Sequence, residues 1–115
     1  MGTVKSKPRN AVFRAIADPT RRRILSLLRG GRQTVGEIAS NFPTSRPAIS
    51  KHLRLLRSAG LVVTRKDGTS QICGLNAKPL RIVNTWLRDY EAFWDESMRS
   101  LKKYIEAEPH KEKNS

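Results

Sequence analysis

Ser45-Arg46-Pro47-Ala48-Ile49-Ser50-Lys51-His52-Leu53-Arg54-Leu55-Leu56-Arg57-Ser58-Ala59-Gly60-Leu61-Val62 decides the fold of this chain. It predicts a short helix that opens at a hydroxyl cap and stops at a glycine. Ile49, Leu53 and Leu56 recur at i, i+4 and i+7, so they share one face. Beside that thin apolar stripe stand Arg46, Ser50, Lys51, Arg54 and Arg57, a row of donors with no acid among them. Aliphatic anchors on one side and donors alone on the other suit a polyanion, above all the major groove of DNA.

Upstream, Thr34-Val35-Gly36-Glu37 has the pattern of a capping box, which gives Glu37 a structural task. Ile38, Ala39 and Phe42 form the apolar side of that helix, Pro43 ends it, and Thr44-Ser45 caps the next. Two helices across so tight a turn make a helix-turn-helix whose second helix is the reader. Downstream, Leu61–Lys66 and Ser70–Leu75 are β-prone runs flanking Asp67-Gly68, a hairpin signal. Its tip carries Arg65, Lys66, Gly68, Thr69 and Gln71. A hairpin in that position is the wing of a winged helix, with Arg65 and Lys66 as donors for phosphate or the minor groove.

Two helices precede this unit. The first spans about Asn10 to Ala17, with Val12, Phe13 and Ile16 inward. The second starts at Asp18-Pro19-Thr20, where Asp caps and Pro takes the first helical position. Ile24, Leu25, Leu27 and Leu28 form its buried stripe, and Gly30-Gly31 ends it. Arg21, Arg22 and Arg23 lie in its first turn, where the helix dipole disfavours cations. That placement points to a nearby anion, either phosphate or Asp18, or else to solvated charge.

After the wing, one long helix is expected from about Lys78 to Ala107. Leu80, Val83, Leu87, Tyr90, Trp94, Leu101 and Tyr104 follow a 3-4 alternation broken at Ser97, widened by Trp86, Phe93, Met98 and Ile105. At about 1.5 Å per residue such a helix is roughly 45 Å long, more than so small a core can cover. A second copy is the simplest partner for the surplus face. Leu80, Val83, Leu87, Tyr90, Trp94 and Leu101 are therefore candidate dimer contacts; a ligand pocket is the alternative for the tryptophans.

The charge is uneven. Of 23 Lys plus Arg and 10 Asp plus Glu, residues 1–72 hold 15 basic and 3 acidic, whereas residues 73–115 hold 8 and 7. A basic excess confined to one region is a footprint for nucleic acid, with anionic lipid as the competing partner. No apolar run approaches the ~20 residues of a membrane helix. The 115 residues suffice for one domain. We expect a flexible basic arm over 1–9, with Lys5, Lys7 and Arg9 near phosphate or simply disordered. A winged helix-turn-helix then spans 10–76, a dimerisation helix of the same domain 77–107, and a flexible tail 108–115. The order is α-α-α-α-β-β-α, mostly helical with a β-hairpin wing. No secretory signal opens the chain, and a lone cysteine fits a reducing cytoplasm.

Residues 12–75 resemble the ArsR family of bacterial winged-helix repressors. The resemblance rests on Ala17-Asp18-Pro19-Thr20-Arg21-Arg22-Arg23-Ile24-Leu25, Thr34-Val35-Gly36-Glu37-Ile38-Ala39 and Ser45 to Leu53. Ala59-Gly60-Leu61-Val62 and the Arg65-Lys66-Asp67-Gly68 wing complete it. It implies a cytoplasmic, nucleoid-associated homodimer of bacterial or archaeal type that represses from a palindromic operator. The first and last helices would make the dimer, which adds Val12 and Phe13 to the interface candidates. The implied reading positions are Ser45, Arg46, Pro47, Ser50 and Lys51, with His52 on the flank between face and core. Thr44, Arg54, Arg57, Arg65, Lys66, Gly68, Thr69 and Gln71 are the candidate backbone contacts.

Metal-sensing members carry Cys-Val-Cys where this chain has Thr34-Val35-Gly36, and no His occurs between His52 and His110. Zinc needs about four ligands, so no metal and no cofactor are expected. Cys73 reads as a small buried hydrophobe rather than a redox switch. Any inducer is then a small molecule, a protein partner or nothing at all. Three functions compete: a sequence-specific dimeric repressor of double-stranded DNA, an architectural or RNA-binding protein without sequence preference, and a helix that docks another protein. No nucleophile triad, phosphate-cradling loop or carboxylate cluster suggests an enzyme.

Overall fold

The computed structural model describes residues 3–107. Its order is α1 (Thr3–Ile16), α2 (Pro19–Arg29), β1 (Gln33–Thr34), α3 (Val35–Ala39), α4 (Arg46–Ser58), β2 (Val62–Asp67), β3 (Ser70–Leu75), a 3-10 turn (Lys78–Leu80) and α5 (Arg81–Ala107). The mostly helical winged architecture is the expected one, with one added strand. β1 joins the wing to make an antiparallel sheet of order β1-β3-β2, pairing Gln33 with Cys73 and Thr34 with Ile72.

The local chemistry explains the boundaries. Asp18 caps α2 by accepting from the Arg21 N–H at 3.0 Å, and Pro19 stands at the first helical position. Thr34 and Glu37 make the reciprocal capping box: Thr34 N–H donates to Glu37 Oε1 (2.8 Å) and Glu37 N–H to Thr34 Oγ1 (3.1 Å). α4 begins on Ser45, whose hydroxyl accepts from the Ala48 N–H at 3.3 Å. It ends in a Schellman arrangement, Gly60 N–H to Arg57 O and Leu61 N–H to Leu56 O, both 2.9 Å. Gly60 supplies the left-handed φ of +78° that this requires. The wing turns on Gly68-Thr69 rather than Asp67-Gly68. Only Gly68 has positive φ (+65°), the requirement at the first central residue of a II′ turn.

One core serves the winged unit. Val12 and Ala15 of α1, Ile24, Leu25 and Leu28 of α2, Ile38 of α3 and Ile49, Leu53 and Leu56 of α4 meet Leu61, Val62 and Cys73. Full burial of each large aliphatic contributes about 2 kcal/mol. The three α4 anchors are 0–2% exposed, so the helix is fixed by one face and its other face is free for solvent or ligand. Leu27 is only half-buried, and Phe42 lies beyond the end of α3.

Three features bear on the expected boundaries and contacts. α1 begins at Thr3, not Asn10, so most of the anticipated arm is helical; Pro8 removes one backbone bond without ending the helix. Val12 is 1% exposed inside the core of the single chain. The chain divides into two compact units between Val83 and Asn84. Leu80, Ile82 and Val83 pack against the winged core, which draws the start of α5 into that unit. The 108–115 tail lies outside the described residues.

In the second unit, α5 presents Tyr90, Phe93, Trp94, Met98, Leu101, Tyr104 and Ile105 at 41–65% exposure. Trp86 meets Tyr90 edge-on at 5.3 Å and Tyr90 stacks on Trp94 at 6.4 Å. No helix among the described residues is long and apolar enough to cross a membrane.

Candidate nucleic-acid interface

α4 carries the site. Its buried anchors orient the opposite side outward, and Arg46, Pro47, Ser50, Lys51, Arg54 and Arg57 are all exposed. No acid lies on the helix. The wing is placed against it by Asn76, which donates from Nδ2 to Gly60 O at 2.9 Å and from its backbone N–H to Leu61 O at 2.8 Å. The exit of β3 is thereby tied to the end of α4.

The result is a cleft lined by Thr34 to Gly36, Arg46, Ser50, Lys66 and the Thr69-Ser70-Gln71 end of β3. Residues 16 to 25 positions apart in the chain converge there: Arg46 and Ser50 of the reader with Lys66, Thr69 and Gln71 of the wing. The Arg46 guanidinium lies 3.6–3.7 Å from where a side chain on Gly36 would begin, an ordinary contact distance. Glycine at this position leaves room for the arginine head. Every side chain lining the cleft is a donor, amphoteric or apolar, so a phosphate or base edge meets no like charge.

Not every candidate lies there. Lys51, Arg54 and Arg57 are exposed along α4, Gly68 is at the wing tip, and Thr44 is exposed just ahead of the cap. Ser45 has its hydroxyl oxygen engaged in capping. Arg65 points to the opposite face of the wing sheet, with Arg32, Val63 and Ile72. His52 turns away from the reading side. Its Nδ1 is 3.2 Å from Arg21 Nη1 and 3.9 Å from Asp18 Oδ2, both at the start of α2. An imidazole in that corner packs between α4 and α2.

The arginines at the start of α2 are also explained. Arg21 donates from Nε to Ala15 O (2.8 Å) and from Nη2 to Arg14 O (3.0 Å). Arg22 donates from Nη1 to Ile16 O (2.9 Å) and Ala17 O (3.2 Å). Arg23 lies over the Phe42 ring at 5.0 Å. The first two satisfy the orphan carbonyls that end α1, where cations are favoured. Asp18 caps the same turn: the Arg21 backbone N–H holds its carboxyl below the ordinary range, assisted by the Arg21 charge.

Sequence reasoning overlooked Arg32, Gly36 and Ser70. Gly36 stood in a recognised capping box, but nothing in its identity signalled that α4 would bring an arginine against it. Cys73 is fully buried, and desolvation pushes its thiol pKa up, which keeps it protonated and unreactive. Among the described residues no group of three His, Cys, Asp or Glu is placed to hold a metal.

Comparison with known proteins gives a consistent result. Residues 18–64 match the family described as bacterial regulatory protein, arsR family. The transcriptional repressor SdpR of Bacillus subtilis is 42% identical over 81 residues, covering 70% of this chain and 90% of SdpR. The HTH-type transcriptional regulator Rv2034 of Mycobacterium tuberculosis is 37% identical over 108 residues, covering 94% and 96%. Among solved structures, an ArsR-like transcriptional regulator from Rhodococcus sp. RHA1 superposes with a TM-score of 0.65 at 32% identity, over 90% of this chain and 96% of the other. A homodimeric winged helix-turn-helix DNA-binding domain from Mycobacterium bovis gives 0.64 at 26% identity, over 79% and 87%.

Proposed function

The chain belongs to the ArsR family of bacterial regulatory proteins, and from that premise we propose that it is a homodimeric, sequence-specific repressor acting at a palindromic operator. It is a winged-helix transcriptional regulator and not an enzyme. The observation that carries the finer reading is the cleft in which Arg46 and Ser50 of α4 meet Lys66, Thr69 and Gln71 of the wing. Arg46, Ser50 and Lys51 would read base edges in the major groove, with Ser45 and Pro47 at the entry of the helix. Thr44, Arg54, Arg57, Arg65, Lys66, Gly68, Thr69 and Gln71 would fix register on phosphate.

Self-association rests on α5. Its aromatic face is exposed in the single chain, and the Mycobacterium bovis relative is homodimeric. A two-fold dimer presents two α4 helices to half-sites about one DNA turn apart. The interface reading now comprises Phe13, Leu87, Tyr90, Trp94 and Leu101, with Leu80 and Val83 at its edge.

We read the regulator as metal-independent. Thr34 and Gly36 offer no thiolate at the position of the sensing motif, and Cys73 is 0% exposed. An inducer, where one exists, is then a small molecule or a protein.

Selection of bound duplexes from a random pool at moderate salt tests the whole reading. The expected product is a two-fold symmetric motif with half-sites one turn apart, bound roughly a thousandfold or more above random DNA. A pool that binds without enrichment would replace this reading with a non-specific architectural role.

A further inference from the structure

The outer face of the wing sheet contains a hollow separate from the cleft between α4 and the wing, and Arg65 is the one DNA-contact candidate on it. Along β2 the side chains alternate, so Val63 and Arg65 share the side opposite to the core. Across the register they stand beside Gly74 and Ile72 of β3. The Arg32 stem closes the hollow: its Cγ lies 3.5 Å from where a Gly74 side chain would begin, and Val63 Cγ2 lies 3.7 Å away. Arg32, Val63, Thr64, Arg65, Ile72 and Gly74 line a hollow of about 150 Å³ open to solvent on one side, room for a benzene-sized group. The missing side chain at Gly74 is what keeps it open.

We propose that this hollow is an effector site for a small aromatic or branched carboxylate, and that its occupation weakens DNA binding through Arg65. The apolar floor of Val63, Ile72 and Gly74 selects against inorganic anions, which would leave it uncovered. Arg32 and Arg65, neither with an acid partner among the described residues, select against neutral hydrocarbons and for a carboxylate. Val63 is 56% exposed, so a ring seated on it removes apolar surface from water. The coupling rests on the reading of Arg65 as a phosphate contact: a carboxylate on that guanidinium occupies its donors and cancels its charge. By linkage, DNA must weaken the carboxylate by the same factor.

The site is tested on the whole protein without DNA, so that its failure is separate from failure of the operator reading. Benzoate is titrated into isotope-labelled protein, with acetate and benzyl alcohol as probes lacking the ring or the charge. The expected result is saturable shifts centred on Val63, Ile72 and Gly74, at least tenfold weaker for either control probe. Gly74→Val fills the hollow and Arg32→Gln removes one cation; each should reduce benzoate affinity at least tenfold. Folding of both variants is read from the rest of the spectrum. Equal shifts across all basic surfaces, or full benzoate affinity in a folded Gly74→Val, would overturn the site. With DNA present, saturating benzoate should lower affinity at least threefold in the wild type and not in Gly74→Val; unchanged affinity would overturn the coupling.

Discussion

Replacing Arg21 by alanine separates two roles that its position at a helix start leaves open. A phosphate-binding arginine would matter to DNA and little to folding. The structure assigns the reverse, because Arg21 bridges Ala15 O at 2.8 Å and Arg14 O at 3.0 Å, and meets His52 Nδ1 at 3.2 Å. Hydrogen bonds made by a charged donor are worth about 1.5–3 kcal/mol each when sheltered. The Arg14 carbonyl is exposed and can return to water, so it adds little. The Ala15 and His52 bonds are part-buried and share one guanidinium, which brings the total to about 3 kcal/mol. Against a stability of about 5–15 kcal/mol that loss is easily resolved. Urea unfolding followed by far-ultraviolet circular dichroism, at one fixed protein concentration because dimerisation adds stability, should show it. Arg21→Lys should recover no more than half, since a single ammonium cannot span two carbonyls and an imidazole. The salt slope of random-DNA binding should be unchanged. A stability loss under about 0.5 kcal/mol together with a slope flatter by about one would refute the reasoning and return Arg21 to phosphate.

The other predictions concern single side chains. Thr34→Ala removes half of the capping box and should cost about 1 kcal/mol of unfolding free energy; no loss would mean α3 holds by packing alone. The folded Asp18 carboxyl titrates below its unfolded value near 3.9. Its stabilisation is therefore complete above that value and lost as pH falls through the folded pKa. Asp18→Asn should accordingly narrow its stability gap to wild type below about pH 4, and a constant gap in acid titration would contradict the assignment. Arg46→Ala should lose about 1–3 kcal/mol on the selected operator and much less on random duplex, whereas Arg65→Ala should weaken both alike and flatten the salt slope by about one. Trp94→Asp, which alters a half-exposed side chain of the single chain, should halve the sedimenting mass without unfolding the winged unit. An unchanged mass would exclude that face.

Where the determinants were local, the sequence was sufficient to read them. Ile49, Leu53 and Leu56 at helical spacing, the reciprocal Thr34–Glu37 box and the Gly60 stop each act within a few residues, and each stands where the pattern put it. The added strand did not announce itself, because Gln33-Thr34 is two residues long and carries no period to detect. Val12 and Phe13 show a second limit. Neighbouring apolar residues on one helix differ only in which surface they meet, and a sequence cannot separate a chain's own core from that of a copy. His52 shows a third: it sits between the two faces of α4, and only the packing of α2 against that helix turns it toward Arg21.

The basic residues make the same point about charge. Fifteen cations over residues 1–72 point to a polyanionic partner, yet they do not act as one surface. Arg21 and Arg22 close the end of α1, and Arg23 covers Phe42. Arg46 and Lys66 share the cleft between reader and wing, while Arg32 and Arg65 flank a hollow on the far side of the same sheet. Arg21 and Arg22 direct part of their donor set to the carbonyls that end α1, which leaves fewer for a phosphate. Specific recognition therefore depends on the few cations that the core and caps hold outward without a partner. Net charge draws the chain to a polyanion, but the division between engaged and free guanidinium groups determines what it can read there.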